Sequence, residues 1–141
     1  DVVIGTTGWQ AAEPELREVA ARCGIGVVAA PNFAIGVNLF LALVERAAVL
    51  MEPVASFGGY LYEMHHSAKR DAPSGTALAI EAALRRSGYD RPVDISSTRA
   101  GSIPGTHTVG FDGPADTITL THTTRDRSLF ARGAEVLAAG E

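Results

Sequence analysis

EMHHSAKRDAPSGT, Glu63 to Thr76, sits between two kinds of pattern. Val54 to Met64 reads as a strand with an irregularity at Gly58-Gly59, and Ala77 to Arg86 reads as a helix ending near Gly88. Pro73-Ser74-Gly75-Thr76 is therefore a helix start. Such a start leaves N–H groups free and carries the positive end of the helix dipole, so it can bind an anion. The Ser74 and Thr76 hydroxyls can add donors. An ordinary helix cap gives the same letters.

The neighbours of this turn sharpen the choice. Glu63, His65, His66, Lys69 and Asp71 lie within about ten residues of it. Histidine and lysine are the usual proton donors near neutral pH. Glu63 and Asp71 suit groups that orient them. Of the 12 basic residues, 11 are Arg and one is Lys69. Arg stays charged, whereas Lys can exchange a proton, so a single Lys inside this motif is suggestive. Metal ligation is not expected. Four histidines are present, but neither a Cys pair nor an HxxxH spacing accompanies them.

Outward from the loop the chain changes character. Towards the start, Val2 to Ile4 and Val27 to Ala30 are short apolar strands. A helix from Pro14 to about Arg22 lies between them, with Gly24 as its stop. That order implies a parallel βαβ unit. A long apolar helix, Gly36 to Met51, comes next and ends at Pro53. Towards the other end, Val93 to Ser97, Thr106 to Phe111 and Thr117 to His122 are strands split by Gly, Pro and Asp turns. Thr117, Thr119 and Thr121 alternate with Ile118, Leu120 and His122, as in a half-buried antiparallel strand. Ser128 can cap a last helix over 129–139. The fold class is α/β: a remnant of a Rossmann-type parallel sheet, then an α+β domain with a mixed or antiparallel sheet. The boundary falls near Pro53, giving 1–53, 54–128 and 129–141 as the expected units.

With 141 residues, 46% of them hydrophobic, the chain can bury a core. The net charge of −4 disfavours nucleic acid as a general partner. The single cysteine, Cys23, excludes an internal disulfide and suits a reducing, cytoplasmic setting. No run reaches membrane-span length. Three further places are weak alone. Gly5-Thr6-Thr7-Gly8 and Ala30-Pro31-Asn32-Phe33 both follow strands and can meet a ligand at a parallel sheet edge, or be plain turns. The GxGxxG fingerprint is absent. His107, in Gly105-Thr106-His107-Thr108, suits a structural role. Arg125 and Arg127 can be solvated, or one can clamp a carboxylate.

Taken in order, these segments resemble the dihydrodipicolinate reductase family. The resemblance rests on Gly5–Gly8, Ala30–Phe33 with Ile35-Gly36-Val37-Asn38, and Glu63-x-His65-His66-x-x-Lys69-x-Asp71-x-Pro73-Ser74-Gly75-Thr76-Ala77. It continues through Gly105-Thr106-His107 and Phe130-Ala131-x-Gly133-Ala134. It implies a reductase that uses NADPH or NADH, acts on a small cyclic dicarboxylate and assembles as a homotetramer. It implies His65 and Lys69 as the acid/base pair. His66, Ser74, Gly75, Thr76 and Arg127 become substrate contacts. Gly5, Thr6, Thr7, Ala30, Pro31, Asn32 and Phe33 become cofactor contacts. Family members open with a strand and a glycine-rich turn that cradles the cofactor phosphates. Neither is found here, so a fragment is expected. A non-catalytic remnant that binds dicarboxylates or forms oligomers is the alternative, and a related reductase of another cyclic acid is a third.

Overall fold

The computed structural model describes residues 1–5, 10–29, 32–126 and 128. By internal contacts the chain falls into two compact units, the first holding Asp1–Asn38 and the second Leu39–Asp126.

In the first unit, β1 (Val2–Ile4) pairs in parallel with β2 (Val27–Ala29), Val2 opposite Val27. Between them runs α1 (Glu13–Cys23), with Pro14 in its first turn and Gly24 closing it in the left-handed conformation. This is the expected βαβ order.

The second unit contains most of α2 (Ile35–Met51), then β3 (Gly58–His65), α3 (Gly75–Arg86), β4 (Val93–Arg99), β5 (Thr106–Asp112) and β6 (Thr117–Thr123). The sheet order is β4-β3-β5-β6. β3 and β4 are parallel, joined through α3, and the other pairings are antiparallel. The sheet is thus mixed, as expected for this part.

Three expectations change. The domain boundary moves from Pro53 to the first turn of α2. Phe40, Val44, Ala48 and Met51, at helical spacing along α2, belong to the same buried cluster as Ile80 and Leu84 of α3 and Leu61, Val109 and Phe111 of the sheet. Sharing one core, α2 and the sheet form one unit. Likewise, the strand expected from Val54 starts at Gly58. Residues 54–57 make a turn off the end of α2, with Val54 N donating to Met51 O and Phe57 N to Val54 O. The Arg91 guanidinium fastens this turn by donating to the carbonyls of Met51, Val54 and Phe57.

Gly58-Gly59 is no irregularity either; both residues keep the ladder with β5. Gly59 is there for space. A Cβ on it would lie 2.7 Å from Tyr89 Oη. Tyr89 is fully buried, edge-on to Phe111 at 5.6 Å, with the Arg91 guanidinium 4.7 Å over its ring, so it cannot retreat. Gly59→Ala is expected to cost about 1–3 kcal/mol, the usual range for overpacking. Gly58→Ala, whose Cβ meets nothing within 4 Å, is the matched control. Urea unfolding of the pair checks this; equal midpoints would show that Tyr89 yields freely.

Candidate active site

Strand alternation sends every second side chain of the sheet towards the helices. On β3 these are Leu61, Glu63 and His65, all buried, and on β5 they are His107, Val109 and Phe111. The same face is therefore apolar at one end and ionisable at the other. Register places Ser97, Glu63, His107 and His122 side by side across all four strands, with Arg99 next to His65 in the following row. A polar row under the start of α3 is the framework of the site.

Glu63 is its hub and has no solvent exposure. Its Oε1 accepts from Ser74 N at 3.0 Å, Ser97 Oγ at 2.7 Å and Arg99 Nη2 at 2.7 Å. Its Oε2 faces His65 Nδ1 at 3.3 Å and His107 Nε2 at 3.5 Å. Burial pushes the Glu63 carboxyl up, but the Ser74 side chain, Arg99, Ser97 and the Ser74 amide outweigh it and hold it at about 2. Glu63 is an anion at any physiological pH.

The two histidines beside it go the other way. Burial first, and then the neighbouring His65, which outweighs the pull of Glu63, bring His107 down to about 4. His65 is also lowered, by burial first, against the pull of Glu63. Both are neutral imidazoles near pH 7. Their rings meet edge-on at 5.0 Å, and His107 Nε2 is 3.1 Å from Ser74 Oγ. Ser74 Oγ also accepts from Ala77 N, capping α3. Ser74 is thus the helix cap, and its own N–H is taken up by the Glu63 carboxylate.

The loop between β3 and α3 carries the other charges. Lys69 Nζ donates to both Asp71 carboxylate oxygens, at 2.7 and 2.9 Å. That pairing is the main reason the Asp71 carboxyl is lowered, with the Gly75 backbone among the smaller contributors. His65 is buried; His66, Lys69 and Thr76 are half-buried and Gly75 is exposed. Glu63 and Asp71 thus accompany His65 and Lys69, as their spacing suggested.

Sequence reasoning missed Ser97 and Arg99 and undervalued His107. Their signal was present, because Val93, Ile95, Ser97 and Arg99 occupy alternate positions of one strand. Polar residues at the inward positions of a strand mark a buried polar network. Glu63, His65 and His107 also bring three donor atoms within 4.8 Å of one another, close enough for a metal. The bonding favours a hydrogen-bonded network: a guanidinium already neutralises the carboxylate, and Ser74 occupies His107 Nε2. In the first unit, Asn32 Oδ1 accepts from Ala34 N, and Gly5 lies against the Phe33 ring. Thr6, Thr7, Ala30, Pro31, Arg127 and the helix expected over 129–139 lie outside the described residues. Arg125 is exposed.

Comparison with known proteins gives this geometry its context. Among solved structures, a dipicolinate-bound dihydrodipicolinate reductase from Paenisporosarcina sp. TG-14 superposes with a TM-score of 0.72 at 27% identity, over 95% of this chain and 57% of that one. The 4-hydroxy-tetrahydrodipicolinate reductases of Rhizobium rhizogenes and Stenotrophomonas maltophilia R551-3 are 42% and 43% identical over 94% of this chain. That of Christiangramia forsetii is 34% identical over 97%. The chain spans 53–62% of the length of these three relatives. Residues 36–140 match the family described as Dihydrodipicolinate reductase, C-terminus, which takes in the buried Glu63 hub, the Lys69 loop and the start of α3; the chain belongs to that family of oxidoreductases.

Proposed function

We propose that the chain is part of a 4-hydroxy-tetrahydrodipicolinate reductase, reducing a cyclic dicarboxylate with NADPH or NADH in lysine and diaminopimelate biosynthesis. The observation that carries this reading is the placing of a lysine donor, on the loop after β3, close in sequence to a neutral base at the end of β3. Lys69 is held by Asp71, and burial keeps His65 unprotonated against the pull of the Glu63 anion beside it.

The bound nicotinamide supplies a hydride. The remaining chemistry is this chain's own. Hydride addition to a conjugated imine leaves electron density that must be protonated, and Lys69 Nζ is the donor, with His65 as its partner. His66, Ser74, Gly75 and Thr76 bind the two carboxylates at the start of α3, assisted by Arg127. The cationic Lys69 adds charge stabilisation at the same place. Gly5, Thr6, Thr7, Ala30, Pro31, Asn32 and Phe33 would hold the cofactor. Their position fits: Gly5 and Asn32 lie just beyond the carboxyl ends of two parallel strands, where nucleotides bind in α/β sheets. A Cβ on Gly5 would lie 3.2 Å from the Phe33 ring, so the glycine leaves the ring its room.

In this reading the first unit, Asp1–Asn38, derives from the nucleotide-binding domain, the second, Leu39–Asp126, binds substrate and assembles a homotetramer, and 129–141 begins the return to the nucleotide domain. In this reading the enzyme works in the cytoplasm. Among the described residues no helix is long and apolar enough to cross a membrane. The test is a calorimetric titration with pyridine-2,6-dicarboxylate, a stable planar analogue, and with NADPH. The isolated chain is expected to bind the dicarboxylate more tightly. The reverse order would sink the reading. Dicarboxylate binding with no turnover, even after the rest of the reductase is restored, would favour a non-catalytic binding module instead.

A further inference from the structure

Arg99 lies outside the motif, at the end of β4, yet it touches both halves of the motif. Its Nη2 donates to Glu63 Oε1 at 2.7 Å and to the Asp71 carbonyl at 2.6 Å. Glu63 fixes the side of the site that holds His65, and Asp71 fixes the side that holds Lys69. The backbone adds to the same tie: Ala100 N donates to His65 O, and Ser67 N to Gly101 O.

A fully buried carboxylate must find a counter-charge. Arg99 supplies it from one side. The alternative source is a proton on a histidine facing Oε2. Glu63 Oε2 and His65 Nδ1 face each other at 3.3 Å, and neither has another hydrogen-bond partner. A turn of the imidazole that lets Nδ1–H donate to Oε2 would satisfy both atoms. On the other side of the ring, Gly105 leaves His65 Nε2 accessible, since a Cβ there would lie 3.1 Å from it.

We propose that Arg99 is a positioning residue: by serving as the counter-ion of Glu63 it leaves His65 a neutral imidazole with its proton on Nδ1 and its Nε2 lone pair free. The charged and titratable groups facing His65 are Glu63 on its own strand, Lys69 and Asp71 on the loop, Arg99 on β4 and His107 on β5. Of these, Arg99 is the cation bonded directly to Glu63. Its removal therefore passes the counter-ion role to a histidine. His65 would then enter catalysis as an imidazolium, unable to accept a hydrogen bond or a proton from substrate or Lys69.

The ring nitrogens report this directly. In the protein labelled with ¹⁵N at histidine, with His65 assigned through His65→Gln, the long-range ¹H–¹⁵N spectrum at pH 7.5 is expected to show the Nδ1–H tautomer. In Arg99→Met the His65 titration midpoint is expected to rise by about one pH unit or more. Arg99→Lys, which keeps the charge, should stay near the native midpoint. Glu63→Gln gives a second arm that leaves Arg99 in place. An amide NH₂ facing Nδ1 donates to it and should drive the ring to the Nε2–H tautomer. An unmoved midpoint in Arg99→Met, an Nε2–H tautomer in the native protein, or an unchanged tautomer in Glu63→Gln would each overturn the assignment. Should Arg99→Met not fold, the native and Glu63→Gln spectra decide alone. The importance of His65 for turnover rests on the function proposed above, but the spectra do not. A protein that binds no dicarboxylate would refute that function and leave the ring measurement standing.

Discussion

Lys69→Ala, introduced into the complete reductase polypeptide, is expected to lower kcat by about 10²–10⁴-fold, the usual contribution of a positioned general acid. Affinity for the nicotinamide cofactor should change little, since the proposed cofactor residues lie elsewhere in the sequence. Folding should also be spared. The Lys69–Asp71 pair is partly exposed on a loop, and such pairs contribute roughly 0–1 kcal/mol. Loss of rate with both stability and cofactor binding retained is a pattern that a merely structural lysine would not give. No other lysine exists in the chain to take over. Steady-state kinetics with circular dichroism of the same samples makes the comparison, and an unchanged kcat removes Lys69 from the mechanism.

Acid should unfold the second unit in two stages. His107 titrates near 4 when folded against 6.5 for an ordinary histidine. Because the unfolded chain binds that proton more readily, the contribution is complete above about pH 6.5 and is lost as pH falls to about 4. His65 and His122, both lowered by burial, act with the same sign. Glu63 comes second: held near 2 against 4.5, it stabilises fully above about pH 4.5 and its contribution fades towards pH 2. A shift of this size corresponds to about 3 kcal/mol for each of the two groups, a large share of a domain's net stability. Urea midpoints should be level between pH 7 and 8 and fall steadily below about 6.5. A flat profile between pH 6.5 and 4.5 would contradict the burial of neutral histidines.

Much of this molecule was legible before its structure, for identifiable reasons. The βαβ order, the long apolar α2 and the Thr-rich hairpin arise from periodicities that local sequence carries. Glu63 and Asp71 were also legible as groups that orient His or Lys, because close sequence spacing keeps such groups near each other, but which carboxylate meets which base was not. Harder to read was anything set by packing across strands. Gly58-Gly59 suggested a defect in the strand, whereas Gly59 makes room for Tyr89, thirty residues away along the chain. Pro53 ends α2 and so suggested a domain boundary. The helix before it nonetheless packs into the core beneath the four-stranded sheet, and a helix stop alone does not report which core a helix joins. Alternation with Val93, Ile95 and Ser97 marks the side of the strand Arg99 takes, but not Glu63 as its partner, because parallel pairing of β3 and β4 is a tertiary event with no local signature.

The row in which Ser97, Glu63 and His107 stand abreast has one further consequence. The conspicuous fourteen-residue motif is not a transplantable module. A synthetic peptide spanning 63–76, or the same letters grafted between a strand and a helix of another scaffold, would bring the carboxylate without its guanidinium. It would also bring His65 without the second imidazole beside it. What can be moved between scaffolds is the three-strand arrangement, and any attempt to build this chemistry anew would have to begin from the register.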